Sequence, residues 1–365
     1  MHAYRKVHLA IETPYFCDFR QLSHFNCWAI IKRSTIKVID MYLTHFNLES
    51  DPFALNPTNT HEFWSDEREE ALKVALKATR SGLGPIVITG PSGIGKTFLA
   101  NRVRETYPNM TWVRLVATHL NRAQFIQSIA KSVGMQCYDS ESSITQQRRL
   151  FSHLLSMTRT HGPVLVEIEE THRFDPDLLL EIANLAKWNI HGQTLITFVL
   201  VGQERLAHLL NLPPLAHLKA QLSAHIRFEP LNVTEIYQYV SHRVFASSGD
   251  PAIFHQSAIL ALQEYSGGVL FRINTLAKAS IIEAALDQES AITESTVIKA
   301  ATKLGMVRFQ AKAKSSPGKL RNFLDRLLRV NNTSRLDVID SQTIWKATDP
   351  SLDMANLSSA RKERI

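Results

Sequence analysis

The 365-residue chain carries 41 Lys/Arg against 34 Asp/Glu, a formal net charge of +7, and its hydrophobic fraction of 44% is that of an ordinary globular protein able to bury a core. No run of 18 apolar residues occurs, so no membrane-spanning helix is expected. Arg5, Lys6, Asp18 and Arg20 interrupt the first apolar stretches, which is unlike a secretory leader. Cys17, Cys27 and Cys137 lack C-x-x-C spacing, so neither a metal site nor a disulfide framework is expected, and a reducing, cytoplasmic setting is.

In chain order, residues 1–40 show neither helical nor strand periodicity and carry a net +3; we expect a spurious or disordered extension, with Met41 as the true start. A helix is expected from Ser65, its N-cap, with Asp66, Glu67, Glu69 and Glu70 in the first turns and the Ser81–Pro85 stretch as its stop. Apolar runs at 85–89, 110–116, 163–168, 194–201 and 226–228 alternate with helical patterns at 121–133, 143–158 and 175–188. That alternation predicts an α/β fold with a parallel sheet covered on both faces. Residues 232–305 read as helices only, a small C-terminal helical domain. Residues 306–365 carry twelve Lys/Arg against six Asp/Glu, a net +6, and predict one amphipathic helix bearing Leu320, Phe323, Leu324, Leu327 and Leu328. The segment 41–305 is at −2, so the basic character lies in the ends, and a basic tail is suited to an anionic partner such as DNA or to plain solvation.

Gly90-Pro91-Ser92-Gly93-Ile94-Gly95-Lys96-Thr97 is a complete G-x-x-x-x-G-K-T loop between an expected strand and a helix opening at Phe98. Its glycines let backbone N–H groups turn around phosphates, and the helix N-terminus adds partial positive charge. Lys96 suits the β- and γ-phosphates and Thr97 the Mg²⁺ of a nucleoside triphosphate. The run Val164–Ile168 ends in Glu169-Glu170. Glu169 is assigned to the metal shell and Glu170 to polarising the attacking water. Gln203, after Val201-Gly202, is the candidate γ-phosphate sensor, and Arg272, after Ser266-Gly267-Gly268, a candidate to reach back to the phosphates.

This order of motifs resembles the AAA+ ATPases of the ExeA type, general secretion pathway protein A and its relatives, akin in turn to TnsC-, TniB- and MuB-like transposition helpers. The segment from Met41-Tyr42-Leu43 to Phe53-Ala54-Leu55-Asn56-Pro57 also looks like the start of that family, and the likeness covers about 41–305. It implies an AAA+ nucleotide-binding α/β domain over 41–231, a P-loop NTPase with a helical lid over 232–305, ATP and Mg²⁺ as ligands, and self-assembly into a hexamer or filament. The Phe-x-Leu-x-Pro segment would lie near the adenine. Three departures stand out. Glu169-Glu170 replaces Asp-Glu; Gln221 stands where the family carries an arginine acting on the neighbouring subunit; and Arg272 is displaced by one residue, about 100° around a helix. Slow hydrolysis is the expectation. The leading expectation is an oligomeric switch, of the transposition-helper kind; a non-hydrolysing scaffold and a secretion or pilus-assembly ATPase are the alternatives, and a kinase lacks a recognisable acceptor site.

Overall fold

A computed structural model of the chain describes residues 38–54, 62–116, 120–138 and 141–309. The expected amphipathic helix near Leu320, the basic tail beyond residue 309 and most of the N-terminal extension lie outside them, as do Leu55-Asn56-Pro57. Chain order among the described residues is α1 (38–45), α2 (Asp66–Ser81), β1 (Ile86–Thr89), α3 (Lys96–Thr106), β2 (Trp112–Val116), α4 (Arg122–Ser132), α5 (Ser143–His161), β3 (Val164–Glu169) and α6 (Pro176–Leu185). There follow β4 (Asn189–Ile190), β5 (Gln193–Thr194), β6 (Ile196–Gly202), α7 (Glu204–Leu210), α8 (Ala216–Ala220) and β7 (Ala224–Arg227). Four helices complete the unit: α9 (Val233–Phe245), α10 (Gln256–Ser266), α11 (Leu270–Leu286) and α12 (Glu294–Lys303).

The sheet is wholly parallel, in the order β2-β3-β6-β1-β7. Alternation sorts its side chains between two cores. Ile86, Ile88, Leu165, Val199 and Val201 face α2 and α3, packing on Ala75, Ala78, Leu99 and Ala100. Val87, Val113, Val164, Val166, Ile168 and Phe198 face α4, α5 and α6 through Phe125, Ile129, Leu150 and Leu179. Because every strand runs the same way, the turns that follow β1, β3 and β6 open along one edge, where ligands of such sheets bind.

Local chemistry explains the helix starts. Asn121 with Gln124, and Asn232 with Glu235, form capping boxes that begin α4 and α9. Ser65 occupies the N-cap of α2, but its hydroxyl makes no capping bond; the acidic first turn supplies the N-terminal charge instead. The sequence reading merged β5 and β6 into one run. A tight turn at His191 (φ 51°) and Gly192 (φ 80°) separates off the small antiparallel β4–β5 ribbon. Strand β7 starts two residues before the expected run, because Ala-His-Ile-Arg on the outer side of the sheet carries little apolar signal. Helix α1 runs across Met41, so the 38–40 stretch is helical, unlike the extension expected through residue 40. No helix among the described residues is long and apolar enough to cross a membrane.

After β7 the chain reaches α9 through Pro230-Leu231, and Leu231 N–H donates to Gly268 O at 2.9 Å. Gly268 has φ 78°, and a Cβ there would stand 2.3 Å from Leu231 O. Gly268→Ala should therefore lower stability by about 2 kcal/mol or more, read as a fall in Tm of roughly 4–8 °C in a thermal melt.

Candidate functional site

The loop Gly90–Thr97 joins β1 to α3, and Gly95 (φ 103°) is the α3 N-cap. Ser92, Gly93, Gly95, Lys96, Thr97 and Phe98 line a cleft with Glu169 and Glu170. Lys96 is buried, and its ammonium donates to Gly90 O (2.9 Å) and Pro91 O (2.7 Å), so the loop's own carbonyls hold the charge at its centre. Burial pushes the Lys96 ammonium below the ordinary lysine range, while Glu170, Glu204 and Glu169 act in the opposite sense. Ile94 is fully buried and anchors the loop in the core between β1 and α3.

Residues 165, 167 and 169 of β3 share the sheet face covered by α3, and this brings the second half of the site to the loop. Thr97 Oγ1 donates to Glu169 Oε1 at 2.8 Å. The register pairs Arg114 of β2 with Glu167 and Val116 with Glu169, which lets one guanidinium serve both acids. Arg114 Nη2 meets Glu169 Oε1 at 2.5 Å, and its Nε lies 3.9 Å from Glu167 Oε1. Glu167 has no solvent exposure; its Oε2 accepts from the Trp112 indole at 3.0 Å, whereas Oε1 has no hydrogen-bond partner. Burial raises the Glu167 carboxyl above the usual range, opposed by the Trp112 bond and Arg114.

Glu170 is the residue after the strand, in the left-handed region (φ 55°) where glutamate is uncommon. Its carboxylate faces Arg173 Nε at 3.2 Å and His172 Nε2 at 3.7 Å. The other His172 nitrogen, Nδ1, accepts from Gln203 N–H at 3.3 Å, so the ring proton is assigned to Nε2. Burial lowers the His172 pKa, with Glu170 opposing, and the neutral ring is thereby favoured.

The remaining expected residues sit elsewhere. Gln203 caps α7 without a side-chain capping bond and is not among the cleft residues, although its backbone reaches Glu170 through His172. Arg272 donates to Tyr265 O at 2.8 Å and lies over the Phe309 ring, 5.5 Å from its centroid. A one-residue displacement along α11 turns it from the cleft, and Leu270, Phe271 and Asn274 line the cleft instead. Gln221 Nε2 lies 2.9 Å from His217 Nε2, Lys219 donates to Asn211, and Arg227 pairs with Glu204. Phe53 packs on Phe254 rather than lining the cleft, and the carbonyls beside it, Pro52 O and Ala54 O, accept from Arg243.

The sequence reading missed the far side of the cleft: Phe63, Arg68, Tyr239 and Arg243. Tyr239 and Arg243 are four residues apart on α9, a spacing that any helix face offers and that carries no signal by itself. Arg68 hides among the acidic residues that open α2.

A family model described as an AAA domain matches residues 79–210. General secretion pathway protein A of Aeromonas hydrophila is 25% identical over 246 residues, 67% of this chain. Residues 79–210 thus match an AAA domain, and the likeness to general secretion pathway protein A runs over 246 residues. The alignment takes in 45% of the Aeromonas protein, so the chain spans less than half the length of that relative. Two solved structures share the fold. Cdc6p of Pyrobaculum aerophilum has a TM-score of 0.54 at 17% identity, over 70% of this chain and 71% of that one. The Aeropyrum pernix ORC2 protein, in its ADPNP–ADP complexes, has 0.50 at 18% identity, over 74% of each chain.

The Arg114 bridge is testable on the free protein. Arg114→Ala leaves buried Glu167 without its nearest cation and should cost about 1 kcal/mol, the low end because Arg114 is 38% exposed on its side chain. In a Glu167→Gln background the same substitution should cost measurably less in urea denaturation, a coupling of at least about 0.5 kcal/mol.

Proposed function

We propose that the chain binds ATP with Mg²⁺ and hydrolyses it slowly, acting as an oligomeric nucleotide switch. The observation that supports this most is the 2.8 Å bond between Thr97 Oγ1 and Glu169 Oε1, with Lys96 inside the adjoining loop and Glu170 next along the chain. A hydroxyl and a carboxylate meeting beside a phosphate cradle are the donor set that a hydrated Mg²⁺ accepts. The metal, when bound, supplies a Lewis acid to the phosphate oxygens. Lys96 would hold the β- and γ-phosphates, and Glu170 would orient the water and take its proton as the bond to the leaving diphosphate breaks.

Slow turnover is the reading because the cationic supplements are turned away. Arg272 is committed to Tyr265 O and Phe309, and Gln221 stands at the register of the family's arginine. A missing arginine of that kind costs roughly 10³-fold or more in rate. The same observation favours a second reading, a scaffold that binds nucleotide without hydrolysing it.

A part in DNA transactions, of the transposition-helper kind, rests on the net +6 of residues 306–365, of which all beyond 309 lie outside the described residues. The Aeromonas relative's name points instead to secretion.

Phosphate release and ATP titration separate these readings. Lys96→Ala should lose triphosphate affinity by on the order of 100-fold. Glu170→Gln should bind ATP normally while turnover falls by about 10²–10⁴. Wild-type protein that binds ATP and releases no phosphate would establish the scaffold instead. For DNA, a gel shift strengthened by ATP and lost between about 50 and 200 mM salt is expected; no shift at low salt discards that role.

A further inference from the structure

Arg68 is only 5% exposed, yet no carboxylate lies within ion-pair distance of it among the described residues. A guanidinium stays charged at any pH a protein meets. Burying one without a counter-ion is expensive unless an anion is supplied. What holds Arg68 is modest: Nη2 donates to Ile94 O at 3.0 Å, and the guanidinium lies over the Phe228 ring, 5.0 Å from its centroid. Glu67 and Glu235 contribute only at longer range. Its Nη1 makes no hydrogen bond among the described residues, and it lies 3.0 Å from where a Cβ on Gly95 would stand. The missing side chain at Gly95 therefore leaves the space beside the loop that the guanidinium enters.

Position distinguishes Arg68 from the cleft's other buried arginine. Arg243 is fully engaged by Pro52 O, Ala54 O and the Tyr239 hydroxyl, so it fastens the 52–54 segment to α9. Arg68 lines the same cleft as Lys96, Thr97, Glu169 and Glu170, and as Phe63, Tyr239 and Asn274, which hold together through the Phe63–Tyr239 ring contact and the Tyr239–Asn274 hydrogen bond. The Nη2 bond to Ile94 O sets Arg68 beside the loop, and we take the Lys96 group as the γ-phosphate end.

We propose that Arg68 is a second cation for the bound polyphosphate, supplied by α2 from the same subunit and directed at the phosphate nearest the ribose. The proposal rests on the nucleotide site inferred above and deepens it. Lys96 would neutralise the outer phosphates and Arg68 the inner one, so ADP, and even AMP, would retain a charged contact that does not depend on the γ-phosphate. Affinity for the nucleoside alone would be indifferent to Arg68.

The test is equilibrium binding of ATP, ADP, AMP and adenosine to the full chain by displacement of a fluorescent ADP, for wild type, Arg68→Gln and Arg68→Lys. Arg68→Gln should weaken ADP and AMP by about 10- to 100-fold and leave adenosine within about twofold. Arg68→Lys, which keeps the charge, should recover part of the loss. Equal ADP affinity in Arg68→Gln and wild type overturns the proposal, and so does an equal loss for adenosine and ADP, which would assign the residue to the base side. Should Arg68→Gln fail to fold, Arg68→Lys decides alone: a weakened ADP with unchanged adenosine supports the assignment, and wild-type ADP affinity refutes it. A wild type that binds no nucleotide removes the site itself, a failure distinct from those.

Discussion

A parallel sheet has one edge at which its strands end together, and the proposed site depends on that constraint. The loop after β1 and the acid that ends β3 are 72 residues apart in sequence, as the Thr97–Glu169 bond measures. They meet because both strands deliver their chains to the same edge, and because Glu167 and Glu169 point to the face that α3 covers. A reversed β3 would carry its acids to the opposite end. Even direction and even parity are thus enough to place a carboxylate on a hydroxyl without any local signal linking them.

The charges at that edge are held by one another more than by solvent. Lys96 rests on loop carbonyls, Glu169 on Thr97 and Arg114, and Glu170 between Arg173 and His172. Each polar group therefore has a fixed position before a ligand arrives, the preorganisation that electrostatic catalysis and tight anion binding both require. His172 extends this order to the β6–α7 turn through the Gln203 N–H, so the two turns that flank the cleft share a ring.

Much of this was legible in the sequence, and for identifiable reasons. The phosphate loop is a contiguous pattern, and β1, β3 and β6 are buried on both faces, so their apolar runs stand out. The acid pair follows directly on such a run. Strand β7 was blurred because one side of it faces outward, and the β4–β5 turn because Thr194 and Leu195 adjoin β6 without a break in polarity. Arg68, Tyr239 and Arg243 were invisible for a different reason. Their roles come from packing between α2, α9 and the loop, and side chains brought together from distant helices leave no spacing to read. Arg272 shows the converse: a motif nearly in register still turned its side chain to Tyr265, because a helix converts one residue of offset into a different face.

The sheet's two margins are unequal neighbours of the phosphate cradle. Strand β7 is outermost on its side and also adjoins β1, pairing Thr89 with Arg227, and Phe228 N–H reaches Thr89 O at 2.8 Å. A body pressed along that flank would sit a single strand spacing, about 4.8 Å, from the chain that feeds the cradle. The opposite flank, β2, is separated from β1 by β3 and β6. Displacement of β7 would therefore bear on the loop after β1 more directly than displacement of β2 would.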